Sequence, residues 1–168
     1  METQYLVTHI SVKLTSGYEA FTQAFEKALG RLDLPALQQA KHDPQAVEAA
    51  IKAMQGQEGM SLFGIDNLGQ LISLTGPPRT AKKYFVGNFL RASQIISGEI
   101  RLGLYAPLRV LVYEKEDKTA YVEYELPSSQ FSRFGDPLIT QSGIGLDGKL
   151  ERLIAMCDQT QANTDEKP

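Results

Sequence analysis

Leu108-Arg109-Val110-Leu111-Val112-Tyr113-Glu114, then Lys115-Glu116-Asp117-Lys118, then Ala120-Tyr121-Val122-Glu123-Tyr124-Glu125-Leu126 carry the clearest structural signal in the chain. The two outer runs are rich in Val, Leu and Tyr, residue types that suit a pleated, half-buried surface. The charged tetrapeptide between them reads as a hairpin connection. Successive strand side chains point to opposite faces, so Arg109 and Tyr113 share one face and Val110 and Val112 the other. On the partner run, Tyr121, Glu123 and Glu125 share a face, with Val122, Tyr124 and Leu126 opposite.

Upstream of this pair, residues 84–86 read as a further strand leading into Gly87-Asn88. Residues 90–97 then read as a helix with Ile95 and Ile96 inward, and Gly76-Pro77-Pro78 breaks the chain ahead of them. Residues 60–65 and 71–74 are short apolar runs, and Asp66-Asn67-Leu68-Gly69 between them reads as a hairpin turn. Residues 34–56 are helical but interrupted, with Asp43 as N-cap, Pro44 in the first turn and Gly56 at the end. Ser16-Gly17-Tyr18-Glu19 has capping-box spacing ahead of the stripe Tyr18, Phe21, Phe25, Leu29 and Leu32, which Gly30 would stop as a left-handed residue. Residues 6–14 read as the first strand. Downstream, Pro127 ends a strand, Ser128-Ser129 can cap a short helix, and a last helix is expected over about 147–157.

This order lacks regular βα alternation, which points to an α+β fold: a largely antiparallel sheet with helices packed on one face. One domain is expected over residues 1–158, with a helical excursion at about 34–56 and a disordered polar tail at 159–168.

At 168 residues, with 42% apolar and 22% charged residues, the chain can bury a core without staples. Its one cysteine, Cys157, excludes an internal disulfide framework and any Cys-based metal cluster. No signal peptide and no apolar run of membrane-spanning length are read, so a soluble, cytoplasmic protein is expected. A net charge of −3 argues against nucleic acid as a partner. The charge is uneven: residues 77–109 hold six basic side chains (Arg79, Lys82, Lys83, Arg91, Arg101, Arg109) against one acid, Glu99. That segment is either an anion-binding face or a set of solvated side chains on several faces.

Gly143-Ile144-Gly145-Leu146-Asp147-Gly148 has the letters of a dinucleotide-binding fingerprint. The fingerprint needs a strand before the glycines and a second strand after the helix, and neither is read here. The glycines are therefore expected to lead flexibly into the last helix, and no cofactor is expected. His9 and His42 cannot alone build a three-ligand metal site, no G-x-S-x-G elbow occurs, and Cys157 lies on an apolar helix stripe. What remains is a polar-aromatic set: Tyr105, Tyr113, Tyr121 and Tyr124 close to Asn88, Arg101 and Arg109. Tyrosine offers apolar surface and a hydroxyl together, which suits a ligand pocket or a subunit interface. The plain alternative is half-buried sheet filler with Arg109 paired to Glu123.

The stretches Tyr84-Phe85-Val86-Gly87-Asn88, residues 104–114 and residues 122–129 resemble the "domain of unknown function 302" family. The resemblance covers most of residues 6–157. It implies a compact α+β fold with a curved antiparallel sheet of TATA-binding-protein-like architecture, often dimeric, and it brings no catalytic residues. The expected function is a module binding a small anionic or aromatic ligand between sheet and helix, near Asn88, Arg101, Tyr105, Arg109, Tyr113 and Tyr124. The alternative is a structural protein forming a homodimer through a tyrosine-rich surface. An enzyme is the third reading, with Glu123 and His9 the only groups to nominate.

Overall fold

Val110, Val112 and Val122 are completely buried, and the strands that carry them form the centre of a six-stranded sheet. The computed structural model describes residues 2–159, so the expected tail lies, beyond Gln159, outside the described residues. The strands are β1 (His9–Lys13), β2 (Gly30–Arg31), β3 (Ser61–Asp66), β4 (Thr80–Gly87), β5 (Leu108–Glu114) and β6 (Ala120–Glu125). Their order is β1-β6-β5-β4-β3-β2, and every pairing is antiparallel except β2 with β3. The α+β class and the mostly antiparallel sheet are as the sequence implies.

The β5–β6 hairpin forms where the pattern places it. Lys115 N–H donates to Thr119 O at 2.9 Å, and the Asp117 carboxylate takes the Thr119 N–H at 2.9 Å. β1 is shorter than the expected 6–14 because its ladder runs out: Leu126 N–H reaches Thr8 O, but the Thr8 N–H turns instead to Ser129 Oγ at 3.0 Å.

Seven α-helices are found among the described residues: α1 (Tyr18–Ala28), α2 (Leu34–Gln39), α3 (Pro44–Met54), α4 (Leu68–Ile72), α5 (Phe89–Gly98), α6 (Pro127–Phe131) and α7 (Pro137–Gln159). α1 buries Phe21 and Phe25, and Phe25 meets Tyr84 of β4 edge-on at 5.3 Å. Each such phenyl group contributes roughly 1.5–3 kcal/mol by leaving water. α7 lies beside α1 and adds Leu146, Leu150, Leu153 and Cys157 to the same core. The opposite face of the central strands carries His9, Ser11, Lys83, Arg109, Tyr113, Glu123 and Glu125, all of which keep contact with solvent.

Four local expectations are corrected. Residues 71–74 are not a strand: Asn67 accepts the Gln70 N–H at 3.0 Å and starts α4, because a helix cap and a tight turn use the same asparagine. The last helix begins ten residues early, at Pro137, so Gly143 and Gly145 lie within it rather than before it. Ser16 makes no capping box, since its hydroxyl donates to Asp158 of α7 at 2.8 Å and Gly17 takes the N-cap position. Gly30 is extended, not left-handed. It is glycine because a Cβ there would stand 2.0 Å from Met54 O and 2.4 Å from Gly56 N, where the start of β2 passes the end of α3.

Candidate functional site

Two kinds of hollow flank the sheet, and strand alternation decides what each contains. On the open face the register sets His9 opposite Glu125, Ser11 and Leu111 opposite Glu123, and Tyr113 opposite Tyr121. Glu123 is the hub. It accepts Tyr113 Oη–H at 2.7 Å and Ser11 Oγ–H at 3.3 Å, and His9 Nε2 stands 3.4 Å away. The hydrogen bond to this carboxylate, with burial and its charge, pushes the Tyr113 phenol up to about 12. Arg109 is therefore not the partner of Glu123. Its Nη2 lies 3.7 Å from Glu125, which also accepts the Gln130 amide. His9, Glu123, Glu125, Arg109 and Gln130 line a hollow of about 230 Å³ with Lys83 and Tyr105, and the two cations there, Arg109 and Lys83, already have carboxylate partners.

The second hollow is apolar and lies under α5. Asn88 caps this helix, accepting the Arg91 N–H at 2.8 Å and donating to Gly59 O at 2.9 Å. A bulge between Leu62 and Gly64 turns Phe63 toward Phe89, and the two rings stack at 6.3 Å. Below them Ile96, Leu108, Phe131 and Leu146 complete a cavity of about 290 Å³. That is close to the lower bound for a small-molecule pocket. Ser93, its other polar lining group besides Asn88, already donates to Leu90 O at 2.9 Å. α5 contributes no fully buried residue, although Ile95 and Ile96 pack partly buried against the core.

Two more hollows share the α5 wall. One lies between α5 and α7 and holds Arg91, Gln94, Gln141 and Lys149 in about 380 Å³. It meets the apolar cavity at Asn88 and Leu146, which line both. The other, about 590 Å³, lies between α5 and the α2–α3 pair, with Leu37, Val47 and Ile51 on its far wall.

The six residues expected near a ligand are thus distributed. Tyr105, Arg109 and Tyr124 line the open-face hollow, and Tyr113 adjoins it through Glu123. Tyr124 does so from inside the core, where it is 6% exposed. Tyr105 is tied to Tyr5 at 3.1 Å and to Arg133, whose guanidinium lies 4.1 Å above the Tyr5 ring. Arg101 is turned away, held bidentate by Glu99 and laid over Phe134. Its hydrogen bonds hold the Glu99 carboxyl down at about 2. Of the six, Asn88 alone belongs to the cavity under α5. Sequence reasoning names Arg91 only as one of six basic residues of a possible anion-binding segment and does not nominate Lys149 or Phe63, although the spacing of Phe89, Ala92 and Ile96 marks one apolar side of α5.

Among the described residues, no three His, Cys, Asp or Glu side chains gather as a metal would need, and no helix is long and apolar enough to cross a membrane. Cys157 is 2% exposed and burial pushes its thiol up to about 11, the opposite of an activated nucleophile.

No curated protein matches the chain. Among solved structures it is similar to the crystal structure of an uncharacterized conserved DUF302 protein from Bacillus stearothermophilus. The TM-score is 0.65 at 13% identity, covering 89% of this chain and 97% of that one, a likeness of fold alone. The family model described as "Domain of unknown function DUF302" matches residues 36–157. That span takes in α3, α5, β3 to β6 and nearly all of α7, so the chain belongs to the DUF302 family.

Proposed function

We propose that the protein is a small-ligand-binding module whose ligand places an apolar or aromatic body in the cavity under α5. One observation carries this reading: a cavity of about 290 Å³, walled mostly by carbon from six elements, lies between the sheet and a helix that buries no residue completely. The open-face hollow suits an anion less well, because Glu123 and Glu125 offset Arg109 there. Asn88 is the member of the expected set that meets the ligand, while Tyr105, Arg109, Tyr113 and Tyr124 shape the other side of the sheet.

Thermal unfolding with small aromatic metabolites tests the proposal. A ligand at a hundred times its Kd should raise Tm by roughly 5–10 °C. Ala92→Trp, which fills the cavity, should remove the shift and leave the circular dichroism spectrum unchanged. Arg109→Ala should leave the shift intact, and loss of binding there instead would move the site to the open face. No shift with any aromatic probe ends the reading.

A second reading is self-association through the open sheet face. The stacked Tyr113–Tyr121 pair, 5.7 Å between ring centres, supports it, because such a surface combines apolar area with hydroxyls at its rim. The mass in solution decides it.

A further inference from the structure

Charge along α5 narrows the class of ligand, an inference that rests on the cavity reading above. The cavity under α5 offers almost no polar group, so it can hold only the apolar part of a molecule. At Asn88 and Leu146, which line both, it adjoins the hollow between α5 and α7, whose character is different. There Arg91 projects from the first turn of α5 and Lys149 from the middle of α7. Among the described residues, no carboxylate lines either hollow. Nor has Arg91 an ionic partner among them. Lys149 Nζ donates one hydrogen bond, to Glu58 O at 2.9 Å, and an ammonium has three to give. The nearby Glu58 carboxylate is bonded by Arg152 at 2.8 Å and also feels the Lys149 charge, so Arg91 is the cation of the two that keeps its charge free for a ligand.

We infer that the ligand is an amphipathic anion: a carboxylic acid whose aliphatic or aromatic tail enters the cavity under α5 while its carboxylate meets Arg91 and Lys149. Arginine offers two parallel N–H donors to the two oxygens, and the lysine ammonium adds a point charge from the opposite wall. The arrangement separates tail and head without burying a charge, because the cationic hollow stays in contact with water. A neutral molecule of the same shape gains the tail contacts alone.

Isothermal titration calorimetry with 3-phenylpropionate and with its uncharged amide, 3-phenylpropanamide, tests the assignment on the full chain. The acid should bind about tenfold or more tightly than the amide. Arg91→Ala should bring the two within about twofold of each other, and Arg91→Lys should restore part of the gap. Arg91 is exposed, so neither variant disturbs the core. Ala92→Trp should abolish binding of both probes. Equal affinity of acid and amide, or a preference that survives Arg91→Ala, overturns the amphipathic assignment and leaves the cavity reading standing. Binding of neither probe overturns both.

Discussion

The carboxylate of Asp158, one residue from the end of α7, ties that helix to the turn between β1 and α1. It accepts the backbone N–H groups of Thr15 and Ser16 at 2.9 Å each, and both of their hydroxyls at 2.8 Å. Burial alone would raise its pKa, but these donors outweigh it and hold the carboxyl below its usual range. A carboxyl depressed in the folded state adds stability above its unfolded pKa of about 3.9 and loses that contribution as pH falls through the folded value. The site is partly exposed, so the contribution belongs at the lower end for bonds to a charged group. Asp158→Asn should cost about 1 kcal/mol at pH 7. Urea unfolding of both proteins should show the gap closing as pH drops below about 4. A gap of the same size at pH 7 and pH 3 would show that ionisation of Asp158 is irrelevant.

Among the elements, the Gly143–Gly148 segment of α7 shows how little a string of letters determines without its neighbours. Its glycines do unequal jobs. A Cβ on Gly143 would sit 2.7 Å from Ser128 Cα and 2.9 Å from Ser128 N, so this glycine lets α7 cross the first turn of α6. Asp147 completes the crossing by accepting the Ser128 N–H at 3.0 Å, which serves the start of α6 in place of a side-chain cap. Gly145 has nothing within 4 Å of the place a methyl group would occupy. Gly143→Ala should therefore destabilise by about 1–3 kcal/mol through overpacking. Gly145→Ala should stabilise by about 0.5–1 kcal/mol by removing backbone freedom from the unfolded chain. Urea midpoints that move in the same direction for both variants would defeat this account. The same contrast explains what is legible in the sequence. The β5–β6 hairpin is readable because its faces, turn and partner lie within twenty residues. The start of α7 is not, since three glycines lower its local helix propensity and packing against α6 and α1 restores it. α4 escapes a reading of the sequence because Asn67 serves a turn or a cap equally well. The candidate cavity is illegible for another reason: its walls come from β3, β4, β5, α5, α6 and α7, spread along the chain, and Phe63 reaches it through a bulge that alternation alone does not foresee.

For the molecule as a whole, the asymmetry of the sheet frames the question of assembly. One face is closed by α1 and α7; the other presents Phe85, Leu111, Tyr113 and Tyr121 among Lys83, Arg109, Glu123 and Glu125. Two copies stacked through this face by a two-fold axis would need about 800 Å² from each. Most charges there already have partners within the chain: Lys83 with Asp66 at 2.8 Å and Arg109 with Glu125. Stacking would thus bury paired charges, whose desolvation opposes association, and the aromatic residues would have to supply the net attraction. The homodimer reading accordingly makes a sharp demand on Tyr121, which stacks on Tyr113 and lies 4.1 Å beneath the Lys115 ammonium. Multi-angle light scattering should give a mass of twice 18.6 kDa for the wild type. Tyr121→Glu, which sets a carboxylate among Glu123 and its neighbours, should return the mass to that of one chain. A concentration-independent monomer in the wild type removes the dimer. It would leave the open face as a solvated surface and the proposed ligand site under α5 as the reading still to be tested.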